Sequence, residues 1–162
     1  MNFREARIEE AATLTAIAFA SKASWPYSPA AMNVWRDTLR ITPEYIGANL
    51  LCVAEVEGQA VGFIAMVPGP TRWQLDHLWI LPGHMRRGLG RSLVGFGMRA
   101  ALQAAAAEIF IDADPYAEKF YLSCGARRIG EVPAPIEGEP ARVRPQMIIV
   151  LSKSIPPAAA PS

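Results

Sequence analysis

The chain has 162 residues, with 16 Lys and Arg against 15 Asp and Glu, a formal net charge of +1. That near-neutral balance disfavours a general nucleic-acid binder, which presents a marked basic excess. A hydrophobic fraction of 51% belongs to a cored globular protein and excludes a disordered one.

No stretch approaches the roughly 18 uninterrupted apolar residues of a membrane helix. The start, MNFREARIEE, is charged and leads into no apolar signal core, so a cytoplasmic protein is expected. Cys52 and Cys124 lie in apolar surroundings and read as reduced thiols. Asp112 and Asp114 alternate at a strand end without further ligands nearby, so no metal site is expected.

In chain order, residues 3–7 read as a short strand, and IEEAATLTAIAFA as a helix with Glu9 and Glu10 in its first turn. A second helix is capped by Ser28, with Pro29 at its first position. Residues 50–69 form a hairpin turning at Gly58, and RWQLDHLWIL is the next strand. Residues 88–106 give a long helix with Leu89, Leu93, Phe96, Ala100 and Ala104 along one stripe. EIFIDAD is a buried strand, AEKFYLSCG a helix closed by Gly125, and ARRIGEV and QMIIVLS the last two strands. Between those strands, residues 133–145 form a proline-rich loop. Residues 1–153 are read as a single domain, and 154–162 as a disordered tail.

Residues 72–112 run strand, polar turn, helix, strand. A crossover of that length joins parallel strands, so the sheet is expected to be mixed. The polar turn, HMRRGLGRSL, places Gly88 and Gly90 where the helix begins. A helix start leaves backbone N–H groups unpaired, and its dipole favours an anion there. Arg86, Arg87 and Arg91 add cations suited to phosphate oxygens. A nucleotide-triphosphate loop needs four residues between its glycines and then Lys-Ser or Lys-Thr, which are missing. A dinucleotide fingerprint needs a third glycine where Leu93 stands. A cradle for the diphosphate of coenzyme A remains, with a plain turn as the competing reading.

The combination of LDHLWILPGHMRRGLGRSLV with ADPYAEKFYLSCGA resembles the core of the GNAT superfamily of acyl-CoA N-acyltransferases. Leu78-Trp79-Ile80-Leu81-Pro82 matches the family's strand end, Gly88-Leu89-Gly90 its helix-opening loop, and Tyr121 to Gly125 its Tyr-x-x-x-Gly element. Met85 departs from the family's Gln or Arg, Ala126 from its Phe, and Asp114 stands where many members place a cofactor-touching Asn. The resemblance implies an α/β (α+β) fold. Its mixed, mostly antiparallel sheet would have about seven strands flanked by about four helices, with a splayed parallel pair joined by the crossover helix. It implies transfer of the acetyl group of acetyl-CoA to a primary amine by direct attack in a ternary complex. A non-catalytic acyl-CoA-binding sensor or interaction domain is the alternative.

Implied cofactor contacts are Leu78, Trp79, Ile80, Met85, Arg86, Arg87, Gly88, Leu89, Gly90, Arg91, Ser92, Asp114 and Tyr121. The Leu78 N–H would stabilise the developing oxyanion, and Tyr121 would be the general acid, unless it only packs with Phe120. Asp76 and His77 are neighbours on one strand, so alternation sends them to opposite faces and only one meets the substrate. His77 as base, and Asp76 as an anchor for the ammonium, both stay open. Trp25, Tyr27 and Trp35 are expected to line the acceptor pocket or to pack the core. The acceptor is a small-molecule or peptide amine of unspecified identity, with neither nucleic acid nor membrane as partner. Homodimers through edge strands are common in the family, and the oligomeric state stays open.

Overall fold

The computed structural model describes residues 1–152 and contains one seven-stranded sheet in the order β1-β2-β3-β4-β5-β7-β6. The strands are β1 (Asn2–Glu5), β2 (Leu50–Val56), β3 (Gln59–Val67), β4 (Arg72–Ile80), β5 (Glu108–Asp112), β6 (Arg127–Pro133) and β7 (Val143–Val150). Every neighbouring pair is antiparallel except β4 with β5. The helices are α1 (Ala11–Ala23), α2 (Pro29–Val34), α3 (Pro43–Ala48), α4 (Leu89–Gln103) and α5 (Glu118–Ser123). The mixed sheet and its parallel pair match the expectation. The expected tail at 154–162 lies outside the described residues.

Among the described residues there are five helices, where about four were expected. The extra one is α3, and it carries its own start signal: Thr42 Oγ1 accepts from Tyr45 N at 3.1 Å, with Pro43 at the first position. Ser28 and Pro29 open α2 in the same way. The hairpin between β2 and β3 turns at Glu57 and Gly58, both with positive φ, as a two-residue turn of matching twist requires. The proline-rich loop is shorter than expected because β7 begins at Val143 and takes in buried Pro145, whose carbonyl accepts from Ala113 N.

Two hydrophobic cores lie on opposite faces of the sheet. One packs α4 and α5 against β3, β4 and β5, and includes Ile64, Met66, Leu93 and Ile111. The other packs α1, α2 and α3 against β2 and β3 through Leu14, Ile17, Val53 and Phe63. The buried stripe of α4 runs through Leu89, Leu93, Gly97 and Ala101. The expected Phe96 and Ala100 are partly buried and pack against the same core, Ala104 is exposed, and Gly97 presses close to the sheet: a Cβ there would meet Met66 Sδ at 2.8 Å.

A bulge and a fork in β4 place the site. Ala65 pairs with His77 but Met66 pairs with Leu75, so Asp76 is an extra residue in β4. Before the bulge, Trp73 and Leu75 face the α4 side; after it, Leu78 and Ile80 do. The fork lies on the other edge of β4, where pairing with β5 covers only Arg72 to Gln74. From Leu75 onward the two parallel strands part. On the β3 side β4 is held closely, since a Cβ on Gly62 would meet Trp79 O at 2.8 Å and Ile80 Cδ1 at 2.5 Å. Replacing Gly62 by Ala should cost about 1–3 kcal/mol, the usual range for overpacking. Chemical denaturation with an unchanged midpoint would contradict this tight β3–β4 contact.

Candidate functional site

The fork opens a cleft of about 360 Å³ between β4, the start of α4, and α5. Leu81 N donates to Val61 O of β3 at 2.8 Å, which makes this a hydrogen-bonded position of the ladder. Pairing types alternate along an antiparallel ladder. Trp79 therefore also turns its main chain to β3, while Leu78 and Ile80 turn theirs to the gap. These are sheet-edge donors and acceptors inside the molecule, without a strand to satisfy them.

At the far end of the cleft the chain makes a tight turn into α4. Arg86 has φ 61° and Gly88 φ 79°, both left-handed. For Arg86 this costs about 1–2 kcal/mol, a local strain held at the site. Gly88 N-caps α4 without a side-chain partner, and its carbonyl accepts from Ser92 N at 3.0 Å. Among the described residues, the N–H groups of Gly88, Leu89, Gly90 and Arg91 find no acceptor. The two glycines serve different needs. Gly88 supplies the torsion, whereas a Cβ on Gly90 would sit 3.1 Å from the Phe120 ring on the opposite wall.

Leu78, Trp79, Ile80, Met85, Arg86, Gly88, Leu89, Gly90, Arg91 and Tyr121 all line this cleft. Arg87 and Ser92 are exposed beside it but do not line it. Arg91 clasps the end of α5, donating to Ser123 O at 2.9 Å and Ser123 Oγ at 3.1 Å, and so ties the two walls together. Tyr121 is packed edge-on against Phe120 and belongs to the core, yet it also faces the cleft. Its hydroxyl makes no hydrogen bond among the described residues, and burial pushes its pKa far above the ordinary value. The hydroxyl therefore stays protonated near neutral pH. His84, which the sequence did not single out, lines the same cleft with a buried Nδ1 that finds no partner among the described residues.

A second cavity, of about 650 Å³, opens on the α1–α3 face, and Trp79 lines both. The bulge overturns the expected alternation of Asp76 and His77: both face this cavity, with His77 Nε2 3.6 Å from Asp76 Oδ2. Tyr45 from α3 donates to Asp76 Oδ2. Trp79 Nε1 donates to His77 Nδ1 at 3.0 Å, which fixes His77 with its remaining proton on Nε2, towards Asp76. Burial lowers the His77 pKa, with the Asp76 charge opposing. The imidazole is therefore neutral near pH 7, and its only lone pair is already taken.

Asp114 turns away from the first cleft, contrary to its expected cofactor contact, and lines the second cavity. It caps the turn after β5 by accepting from Tyr116 N at 2.9 Å. It also accepts from Tyr27 Oη at 2.9 Å, Lys22 Nζ at 3.1 Å and, more distantly, Arg142. The three expected acceptor aromatics separate. Trp35 lines the second cavity. Trp25 lines the first, where it stacks on Tyr116. Tyr27 lines neither and packs edge-on behind Trp35. Both cysteines are free, and burial raises the Cys52 thiol to about 11.

A family model for acetyltransferase (GNAT) family proteins matches residues 12–126. The chain belongs to this family. Among curated proteins, none matches this sequence. A GCN5-related N-acetyltransferase from Rhodopseudomonas palustris superposes with TM-score 0.76 at 24% identity, covering 93% of this chain and 95% of its own. PaiA N-acetyltransferase from Thermoplasma acidophilum, solved with coenzyme A, gives 0.73 at 17% identity, with 92% and 98% covered. YncA of Salmonella typhimurium, solved with acetyl-CoA, gives 0.69 at 14% identity over 99% of each chain. These likenesses establish the fold of the GNAT chain.

The trapped neutrality of His77 has a measurable consequence. The unfolded chain takes up a proton on this residue below about pH 6.5, its ordinary value, while the folded protein resists. The stability this group contributes is whole above that pH and is lost as pH falls through the lower folded value. Thermal denaturation between pH 7.5 and 5 should show a declining midpoint that His77→Gln flattens. Parallel curves for the two proteins would contradict the assignment.

Proposed function

We propose that this GNAT chain transfers the acetyl group of acetyl-CoA directly to a primary amine in a ternary complex. The observation that carries this reading is the single cleft that joins an unpaired β4 edge, a row of unpaired α4 donors and the Tyr121 hydroxyl. Coenzyme A and acetyl-CoA bound in structural neighbours support the cofactor.

The residues present fit such a ligand. Leu78 and Ile80 offer main-chain groups with strand spacing, suited to an extended pantetheine arm with its own amides. The N–H groups of Gly88 to Arg91, with the helix dipole and the exposed Arg86 and Arg87, suit a diphosphate. The buried Nδ1 of His84 is a further polar group on that wall, with no partner among the described residues. Acetyl-CoA, when bound, supplies an acyl group activated as a thioester.

The chain's own groups then have distinct tasks. The Leu78 N–H, at the gap, stabilises negative charge on the thioester oxygen. Tyr121 donates a proton towards the leaving sulfur, and its raised pKa keeps that proton available. Asp76, oriented by Tyr45 and His77, holds the acceptor ammonium and takes up its proton directly or through water. His77 is a positioning residue and not the base, because Trp79 already occupies its lone pair.

The test is coenzyme-A release from acetyl-CoA by the purified protein against a panel of primary amines. Amine-dependent release is expected. Tight acetyl-CoA binding with no release for any amine would overturn the reading in favour of a non-catalytic sensor. Tyr121→Phe should lower kcat about 10- to 1000-fold, within the range of lost acid catalysis, while acetyl-CoA affinity stays nearly intact. Equal kcat for the two proteins would remove the acid role.

A further inference from the structure

The second cavity holds more positive charge than the described activity needs. Four cationic side chains (Lys22, Arg40, Arg142 and Arg144) line it against three acidic ones. Two of the acids are already engaged. Asp112 accepts from Arg144 at 2.8 and 3.1 Å, and Asp76 is the anchor for the ammonium. Among the described residues this leaves Asp114 as the sole counter-charge of both Lys22 and Arg142.

That pairing is incomplete. Lys22 Nζ is 3.1 Å from Asp114 Oδ2, and Arg142 only reaches the same oxygen at 3.4 Å. The Arg142 side chain is 4% exposed and that of Lys22 11%. Arg142 donates to Ala134 O and Tyr27 Oη, but its Nε has no partner among the described residues. Two desolvated cations sharing one carboxylate are under-neutralised, a costly arrangement unless another anion joins them. Aromatic faces relieve part of the cost. Lys22 Nζ sits 3.9 Å from the centre of the Trp35 ring, and Arg142 Cζ 5.1 Å from it. Burial and the nearby Arg142 both lower the Lys22 pKa, and an arriving anion would oppose that.

We infer that the acceptor is an amino carboxylate: its ammonium meets Asp76, and its carboxylate meets the Lys22–Arg142 pair across the face of Trp35. This rests on the acetyl-transfer reading for the amine end and adds the substrate's second functional group. A singly charged carboxylate fits the one surplus charge of the Lys22–Arg142–Asp114 group. A polyamine is disfavoured, since its remote ammonium groups would face Lys22, Arg40 and Arg142.

The experiment compares matched pairs: α-, β- and γ-amino acids against their primary amides, with a polyamine as a further substrate. Two readouts are taken, kcat/KM for acetylation and calorimetric Kd in the presence of coenzyme A. At least one acid should exceed its amide by about tenfold or more in both, carried mainly by KM, as a lost charge-assisted contact implies. Arg142→Gln and Lys22→Met, in preparations that still bind acetyl-CoA, should shrink the acid-to-amide ratio to within about twofold. A merely structural cluster would weaken acid and amide together and leave the ratio alone. Acid and amide equal in the parent protein, or a preferred polyamine, would overturn the inference. If acetyl-CoA binds but no amine is acetylated, the transfer reading fails, and the calorimetric comparison still decides the carboxylate site.

Discussion

The organisation of this protein depends on two parallel strands that stop pairing. β4 and β5 share three residue pairs and then diverge, which leaves main-chain groups of Leu78 and Ile80 unpaired within the fold. A sheet ordinarily leaves such groups only at its outer edges, because a buried unpaired peptide group costs as much as a lost hydrogen bond. Here the cost is carried at the fork, which α4 and α5 wall off into a cleft. The bulge at Asp76 belongs to the same device. By inserting one residue it resets the alternation of β4, so that Leu78 and Ile80 face the α4 core while Asp76, His77 and Trp79 face α1 and α3.

One strand therefore serves two compartments. Its open edge and one face meet the first cleft, its other face meets the second cavity, and Trp79 is common to both. Their chemistry differs. The first is apolar along Trp25, Ile80 and Phe120 and ends in a turn rich in unpaired N–H groups. The second mixes charged and aromatic side chains, with a Tyr45–Asp76–His77–Trp79 network and a Lys22–Asp114–Arg142 cluster. The proposed direct transfer between two bound molecules would use such neighbours, since each reactant would be held independently and brought within contact of the other.

Much of this is legible in the sequence alone. The hairpin, the crossover unit, the Ser28–Pro29 cap and the glycines that open α4 each follow from a local rule, and each stands in the fold. The opposite orientation assigned to Asp76 and His77 was wrong because alternation assumes a regular strand, and no residue type in LDHLW marks a bulge. Asp114 was misplaced for a related reason: its position beside the cleft follows from spacing, but its direction is set by the turn it caps and by Lys22, 92 residues away. Tyr45 could have been found, since Thr42-Pro43 announces the helix that carries it. Lys22 and Arg142 could not, because their meeting depends on a long-range fold that brings Arg142, from the β6–β7 connection, against Tyr27, Trp35 and Asp114.

Residue-resolved amide hydrogen exchange with and without acetyl-CoA tests the fork most directly. Ligand seated along β4 and on the α4 turn should slow exchange at Leu78, Ile80 and Leu89 to Arg91, while Trp79, already bonded to β3, changes little. Saturating acetyl-CoA that left those five amides exchanging as before would show that the unpaired edge is not what holds the cofactor.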